Sequence, residues 1–234
     1  MLQDQNFTAS DISTPATTKT LETYKDAIGK FEEKDWTFIP MPDDGKYYNI
    51  KNKEEPQDLV EGQFVDSDLH LLDVMEKLLG HPFLLVEYGE SYEIINLSNL
   101  NKREVKDFLY PVLSELAHLL SQQIEDYYDD SEDLFGPVRE HTLGTWVKAK
   151  QDDVELHIAE FLTLGSMIGI IKGHDPLMEK CGFDDNDEVD KLGGIKDLRN
   201  KVMHGNRTLV NNRDTLKKDI DRIQRAENIV QRLS

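Results

Sequence analysis

Apolar residues in the first half of the chain recur first at helical spacing and then at alternating spacing. The stretch "LETYKDAIGKFEEKD" predicts an amphipathic helix, because apolar side chains recur every three or four positions at Leu21, Tyr24, Ala27, Ile28 and Phe31. The next stretch, "WTFIPMPDDGKYYNI", alternates apolar and polar residues on both sides of Asp43-Asp44-Gly45. Such a pattern predicts two strands joined by a tight turn.

The same order of elements recurs about 50 residues later, which indicates an internal repeat. The stretch "SDLHLLDVMEKLLG" predicts a second helix whose apolar face consists of Leu69, Leu72, Met75 and Leu79. "HPFLLVEYGESYEIINL" predicts a strand, a turn around Gly89 and a second strand, and "NKREVKDFL" predicts a short helix. Each copy therefore contains a helix, a hairpin and a connecting helix or loop.

Beyond Tyr110 the strand pattern ends and only helical spacing is left. A helix is expected to begin at Pro111, because proline is well tolerated in the first turn of a helix. Further helices are predicted within 137–149, 152–172, 190–204 and 213–233. The predicted fold class is therefore α+β, with an α/β domain over residues 1–110 followed by an all-helical bundle over residues 111–234.

Composition places the chain among soluble globular proteins. Its 234 residues are 38% hydrophobic and 31% charged, enough for one large domain or two small ones. The single cysteine, Cys181, cannot form an intrachain disulfide, which favours a reducing compartment. The start "MLQDQNFTASDIST" lacks the features of a signal peptide, and the most apolar stretch, "FLTLGSMIGII", is too short to span a bilayer. We expect a cytoplasmic protein without a membrane partner.

Charge is distributed unevenly along the chain. The net charge is −19, yet residues 191–234 carry 11 basic and 5 acidic side chains. The first 190 residues carry 16 basic and 41 acidic side chains. A basic segment in an acidic chain predicts a surface that faces a polyanion. The alternative is that the two oppositely charged parts of the chain attract each other.

Three chemically active side chains lie inside this basic segment, in "IKDLRNKVMHGNR". Asn200 and His204 are four residues apart, so they share one face of a helix. Arg199 is one residue away from that face, but its long side chain can reach the same cleft. Gly205 is expected in the left-handed conformation that closes many helices, which would place His204 in the last turn.

The pattern of Arg199, Asn200 and His204 resembles the R-N-x-x-x-H motif of HEPN domains, over roughly residues 111–234. HEPN domains are helical bundles, and many are metal-independent endoribonucleases. The resemblance implies that these three residues are catalytic, that RNA is the substrate and that the cleft forms in a homodimer. The chemistry is suitable, because RNA supplies its own 2′-hydroxyl nucleophile, an imidazole transfers protons and a guanidinium binds phosphate. In the alternative, Arg199 pairs with Asp197 or Asp219 and His204 only caps the helix.

The repeat over roughly residues 10–110 resembles a tandem pair of CBS domains, modules that commonly form a cleft for adenine nucleotides. The family usually ends the second strand of a copy with a Gly-Ile-x-Thr-like step, followed three residues later by an aspartate. In the second copy these positions are Glu93, Ile94, Ile95, Asn96 and Asn99. The resemblance implies an adenine nucleotide as effector, with ligand-binding residues Ile95, Asn96, Asn99, Asn52 and Glu55.

Other classes of site are not indicated. The histidines show no metal-ligand spacing, and one cysteine cannot build a zinc cluster. The chain has neither a glycine-rich phosphate loop nor a Gly-x-Ser-x-Gly elbow. Two hypotheses follow. The first is a ribonuclease that needs no metal or other cofactor and is regulated by an adenine nucleotide. The second is a non-catalytic nucleotide sensor or scaffold whose helical bundle binds RNA or a protein partner.

Overall fold

A computed structural model of the protein describes residues 2, 5–16, 37–51, 55–89 and 91–234. The chain divides there into two compact units. The sheet unit consists of the described residues of 5–105 together with 210–217, and the helical unit consists of Leu2, 106–209 and 218–234. The helix that the sequence predicts around residues 21–31 lies outside the described residues.

Within the described part of the chain, the sheet unit contains two helices and seven strands. These are α1 (Ala9–Ile12), β1 (Thr14–Pro15), β2 (Phe38–Met41), β3 (Lys46–Asn49), β4 (Gln57–Asp58), β5 (Phe64–Val65), α2 (Leu71–Gly80), β6 (Leu84–Tyr88) and β7 (Ser91–Ile95). One sheet has the order β1-β7-β6-β5 and the other β2-β3-β4. Neighbouring strands are antiparallel except β5 and β6, which are parallel and joined through α2.

Both predicted hairpins are confirmed, and a glycine makes the turn in each. Gly45, between β2 and β3, has a φ of 62°, and Gly89, between β6 and β7, has a φ of 55°. Both values lie in the left-handed region, where a side chain would clash with the backbone and glycine does not. Both turns therefore depend on a glycine, which can be recognised from the local sequence.

Aromatic side chains from both sheets share one core cluster. The Tyr47 ring of β3 packs edge-on against Phe83, with centroids 5.0 Å apart, and Phe38 of β2 lies 5.3 Å from Phe83. Phe83 and Leu85 are fully buried. Edge-to-face aromatic pairs add about 0.5–1.5 kcal/mol to the burial of their area. This cluster therefore holds the two small sheets together.

Helix α2 lies where the sequence predicts it, but it buries a different face. The buried side chains are Leu71, Val74, Met75 and Leu78. Leu72 and Leu79, which were expected in the core, are only half-buried. The predicted face is therefore wrong by about one residue, or about 100° of helix rotation.

Residues 103–125 form one helix, α3 (Arg103–Glu125), which passes through Pro111. The predicted start of a new helix at Pro111 is therefore wrong. Proline removes the bond to the carbonyl four residues earlier. Tyr110 and Pro111 are exposed, so water can bond to the helix on that side, while Leu109 and Val112 beside them are buried. The boundary between the two units falls inside α3, between residues 105 and 106.

The rest of the helical unit consists of helices and short connections. Besides α3, its α-helices are α4 (Glu140–Gln151), α5 (Leu164–Lys172), α6 (Asp175–Lys180), α7 (Asn186–Met203) and α8 (Arg213–Leu233), of which residues 213–217 belong to the sheet unit. The helix predicted over 152–172 is wrong in its first half, because α5 begins only after Thr163, whose hydroxyl accepts a bond from Ser166 N at 3.2 Å. Helix α6 was not predicted.

The structure confirms the coarse fold class. It is a mixed α+β protein whose described residues form two small sheets and a helical C-terminal region. None of the helices among the described residues combines the length and the apolar character that crossing a membrane requires.

Candidate active site

Helix α7 positions the three predicted catalytic residues at its C-terminal end. Its buried face consists of Val189, Leu192, Ile195, Leu198 and Val202, which recur every three or four residues. Arg199 and Asn200 lie beside that face and are half-buried, whereas His204 is exposed. The sequence pattern therefore directs the apolar side chains to the core and leaves the polar ones at its edge.

The end of α7 differs from the prediction. The helix ends at Met203, and His204 is the capping residue, with an extended backbone at φ −104° and ψ 105°. Gly205 is not among the residues with positive φ, so the expected left-handed glycine cap is wrong. His204 therefore lies just beyond the last helical turn and is the first residue of the loop that follows.

A lysine from α3 holds this loop instead. Lys106 is 6% exposed, and its Nζ donates to three loop carbonyls. The distances are 3.1 Å to His204 O, 3.0 Å to Gly205 O and 2.7 Å to Arg207 O. Sequence analysis missed Lys106. The one local indication is that it lies among the buried positions of α3, next to Val105.

A buried carboxylate fixes the other side of the loop. Asp219 of α8 is fully buried, accepts a bond from Lys201 Nζ at 3.1 Å and accepts another from Arg222 Nη1 at 2.8 Å. Lys201 also donates to the carbonyl of Leu209 at 3.0 Å. Asp219 therefore pairs with two cations, neither of which is Arg199.

The side chains of Arg199, Asn200 and His204 form no hydrogen bond or ion pair with any residue that the structure describes. The alternative in which Arg199 pairs with Asp197 or Asp219 is therefore not what the structure shows. The Nε atom of Arg199 is moreover buried without a partner. A buried donor left without an acceptor costs about 1–3 kcal/mol. An anion bound to this guanidinium would remove that cost.

Other cations line a cavity of about 460 Å³ between α7 and α8. Its charged lining consists of Lys191, Arg225, Arg232, Glu188 and Asp221. The Arg232 guanidinium lies over the Phe183 ring, 4.9 Å from the centroid. The three basic side chains form no ion pair with the described residues, so their charge is available to an anionic partner.

The described residues show neither a metal-binding group nor an exposed thiol. Among the residues that the structure covers, no group of three or more His, Cys, Asp or Glu side chains is arranged to hold a metal ion. Cys181 is fully buried, and burial raises the pKa of its thiol to about 11, although Lys180 and Arg232 lower it in part. Because the thiolate is the reactive form, Cys181 is a structural residue rather than a nucleophile at neutral pH.

Two of the five predicted ligand-binding residues line a second cavity, of about 710 Å³, within the sheet unit. Asn96 and Asn99 line it, together with Ile94. Ile95 is fully buried on the other side of β7 and does not line the cavity, because successive side chains of a strand point to opposite faces. Glu55 is exposed and is not part of the lining, and Asn52 lies outside the described residues.

Both asparagines hold the turn after β7. Asn99 is 4% exposed, accepts a bond from Asn96 N at 2.9 Å and donates to Ile12 O at 2.7 Å. The Oδ1 of Asn96 accepts a bond from Ser98 N at 2.8 Å. These bonds argue against the predicted ribose contact at Asn99. The Nδ2 of Asn96 forms no hydrogen bond with the described residues, so it can still donate to a ligand.

Comparison of the chain with family models, with curated proteins and with solved structures gives no match. Functional assignment therefore depends on the residues of the two units and on their geometry.

Proposed function

We propose that the protein is a metal-independent endoribonuclease of the HEPN type, with Arg199, Asn200 and His204 as its catalytic residues. The observation that carries this proposal is that these three residues lie close in sequence at the end of α7 and that none of their side chains has a partner among the described residues. A structural arginine would use its buried Nε to bond to a neighbour. The basic character of residues 191–234 supports a polyanionic substrate.

Each of the three side chains has a role in cleavage. The 2′-hydroxyl oxygen of RNA attacks phosphorus, and the bond from phosphorus to the 5′-oxygen breaks. His204 accepts the proton of the 2′-hydroxyl, and the departing 5′-oxygen takes a proton from an imidazolium or from water. Arg199 neutralises the charge that develops on the phosphoryl oxygens, and Asn200 orients the phosphate or the imidazole. The products are a 2′,3′-cyclic phosphate and a 5′-hydroxyl.

The experiment that tests this function offers the protein a single-stranded RNA and a DNA of the same sequence, both in the presence of a chelator. We expect cleavage of the RNA to 2′,3′-cyclic phosphate ends and no cleavage of the DNA, which lacks the 2′-hydroxyl. Cleavage of DNA, or loss of RNA cleavage on chelation, would show that the chemistry is different. Absence of any cleavage would favour the alternative of a non-catalytic module that binds RNA or a protein.

A homodimer is part of the proposal. One imidazole cannot accept a proton from the attacking oxygen and donate one to the leaving oxygen at the same moment. A two-fold axis near the end of α7 would bring two copies of His204 to one phosphate. Light scattering at micromolar concentration is therefore expected to give twice the mass of the chain. A protein that is strictly monomeric and still cleaves RNA would contradict the shared cleft.

We further propose that the sheet unit is a CBS-like pair that binds an adenine nucleotide in the 710 Å³ cavity. The parallel pairing of β5 and β6 through α2, followed by the β6–β7 hairpin, supports the resemblance of the second copy. Asn96 on the cavity wall has an Nδ2 without a partner among the described residues, and Lys51 and Lys102 also line the cavity. The acidic character of the first 190 residues favours a ligand with few phosphates, such as AMP.

A thermal-shift series with adenosine, AMP, ADP and ATP tests this site. AMP is expected to raise the melting temperature, because a ligand that binds only the folded state stabilises it by about 2.7 kcal/mol at a hundredfold excess over Kd. Asn96→Ala is expected to reduce the shift. Glu55→Gln serves as the control, since Glu55 does not line the cavity. A melting temperature that none of the four compounds changes would rule out the nucleotide site.

A further inference from the structure

The strongest feature outside the three catalytic residues is the buried ammonium of Lys106. Its Nζ lies 2.7–3.1 Å from the carbonyl oxygens of His204, Gly205 and Arg207, which account for all three of its donors. It forms no ion pair with a carboxylate of the described residues. The Lys106 Nζ is therefore surrounded by loop carbonyls in the interior of the helical unit, with no carboxylate of the described residues bonded to it.

Closing a helix does not require such a charge. Many helices end on a glycine that bonds back to the last carbonyls through its own backbone, at no cost in buried charge. Removing an ammonium from water is unfavourable, and carbonyl dipoles recover this only in part. The neighbouring buried positions of α3, Val105, Phe108 and Leu109, are all apolar. The charge is therefore unusual for this helix, and it is directed at the loop that begins with His204.

We propose that Lys106 is a positioning residue for the catalytic histidine. This inference rests on the proposed function of Arg199, Asn200 and His204. The three bonds fix the backbone of residues 204–207, so the exposed imidazole starts from a defined position. The end of a helix also carries a partial negative charge, which would repel the substrate phosphate. A fixed ammonium against the carbonyls that follow α7 offsets this repulsion.

The test compares Lys106→Met with Ser121→Ala. Methionine keeps the length of the side chain and removes its charge and its donors. Ser121 lies on the same helix, and its hydroxyl donates to Ala159 O at 2.8 Å in a buried bond. Ser121→Ala therefore also removes a buried side-chain hydrogen bond from α3, but at a site that does not contact the loop. We expect Lys106→Met to lower kcat by about 10- to 100-fold, with little change in KM, because a misplaced catalytic group costs rate rather than binding.

Two further measurements separate positioning from stability. Lys106→Arg, which restores the charge with a different donor geometry, is expected to recover part of the kcat. Hydrogen exchange is expected to speed up at the amides of residues 204–208 in Lys106→Met, while the amides of α7 remain protected as in the wild type. Should Lys106→Met not fold, Lys106→Arg carries the same two readouts.

The outcomes distinguish this inference from the function on which it rests. A wild-type protein without ribonuclease activity would overturn the proposed function, and hydrogen exchange would still show whether Lys106 holds the loop. An active wild type together with a Lys106→Met variant that has unchanged kcat, or that loses no more than Ser121→Ala, would overturn only the role of Lys106. Unchanged exchange at residues 204–208 would do the same.

Discussion

Arg199→Ala and His204→Ala are each expected to lower chelator-resistant RNA cleavage by about 10²- to 10⁴-fold. Loss of a general acid or base costs rates of this order, and loss of a donor that stabilises transition-state charge costs about 10²- to 10³-fold. The measurement is cleavage of a labelled single-stranded RNA under single-turnover conditions. Both variants are expected to fold as the wild type does, because neither side chain has a partner among the described residues whose loss would destabilise the fold.

Matched controls exist in the same unit. Arg139 and His141 lie at the start of α4, are exposed and supply the same two residue types away from the end of α7. Arg139→Ala and His141→Ala are expected to cleave RNA at the wild-type rate. If all four variants cleave RNA at the wild-type rate, the activity comes from a contaminating nuclease, and the proposed catalytic role of Arg199 and His204 is wrong.

Asp219→Ala is expected to lower the free energy of unfolding by about 3–5 kcal/mol, the usual cost of removing one partner from a buried ion pair. The carboxylate is fully buried and serves both Lys201 and Arg222, whose side chains are only 24% and 27% exposed. Its removal leaves two largely buried cations without their acceptor. Urea unfolding followed by circular dichroism measures the loss.

Asp221→Ala is the matched control for this change. Asp221 lies two residues further along α8 and is exposed, so its replacement is expected to change stability by no more than about 0.5 kcal/mol. A loss of unfolding free energy in Asp219→Ala that is as small as the loss in Asp221→Ala would mean that the buried ion cluster contributes nothing to stability. The loop would then depend on the bond from Lys201 to Leu209 O and on the three bonds from Lys106.

The elements that the sequence predicts well are those defined by short-range patterns. The two hairpins follow from alternation around Gly45 and Gly89, whose backbones have the expected positive φ. The buried face of α2 could not be predicted with the same accuracy. Leucine pairs at 71–72 and 78–79 offer two adjacent apolar faces with similar periodicity. Packing against the rest of the sheet unit chooses between them, and local sequence contains no information about that packing.

Errors in helix length have similar causes. A proline fits best in the first turn of a helix, but an exposed interior position tolerates it where the carbonyl four residues earlier faces solvent, so Pro111 by itself cannot show where α3 begins. The late start of α5 depends on the hydroxyl of Thr163, a cap that an apolar run extending from residue 158 conceals. In both cases the decisive interaction involves solvent or a side chain rather than the apolar pattern.

In the candidate active site, too, some residues can be predicted from local sequence and others cannot. Arg199, Asn200 and His204 are neighbours in sequence, so their common location is visible before folding. Lys106 is 98 residues from the carbonyl of His204 that it binds, and no local pattern predicts that contact. The ligand positions taken from the CBS resemblance include both Ile95 and Asn96, but adjacent residues in extended backbone point to opposite sides. Only Asn96 of the two can therefore face the cavity.

The buried thiol of Cys181 has a practical consequence for spectroscopy. With a pKa of about 11 and no exposed surface, it stays protonated and shielded at neutral pH. A cysteine introduced on the surface would therefore take up a maleimide or nitroxide label selectively, without prior replacement of the native residue. Met203, which is 43% exposed beside His204, is a suitable position. A spin label there would report the separation of two such positions in an assembled dimer by dipolar coupling, in the otherwise wild-type chain.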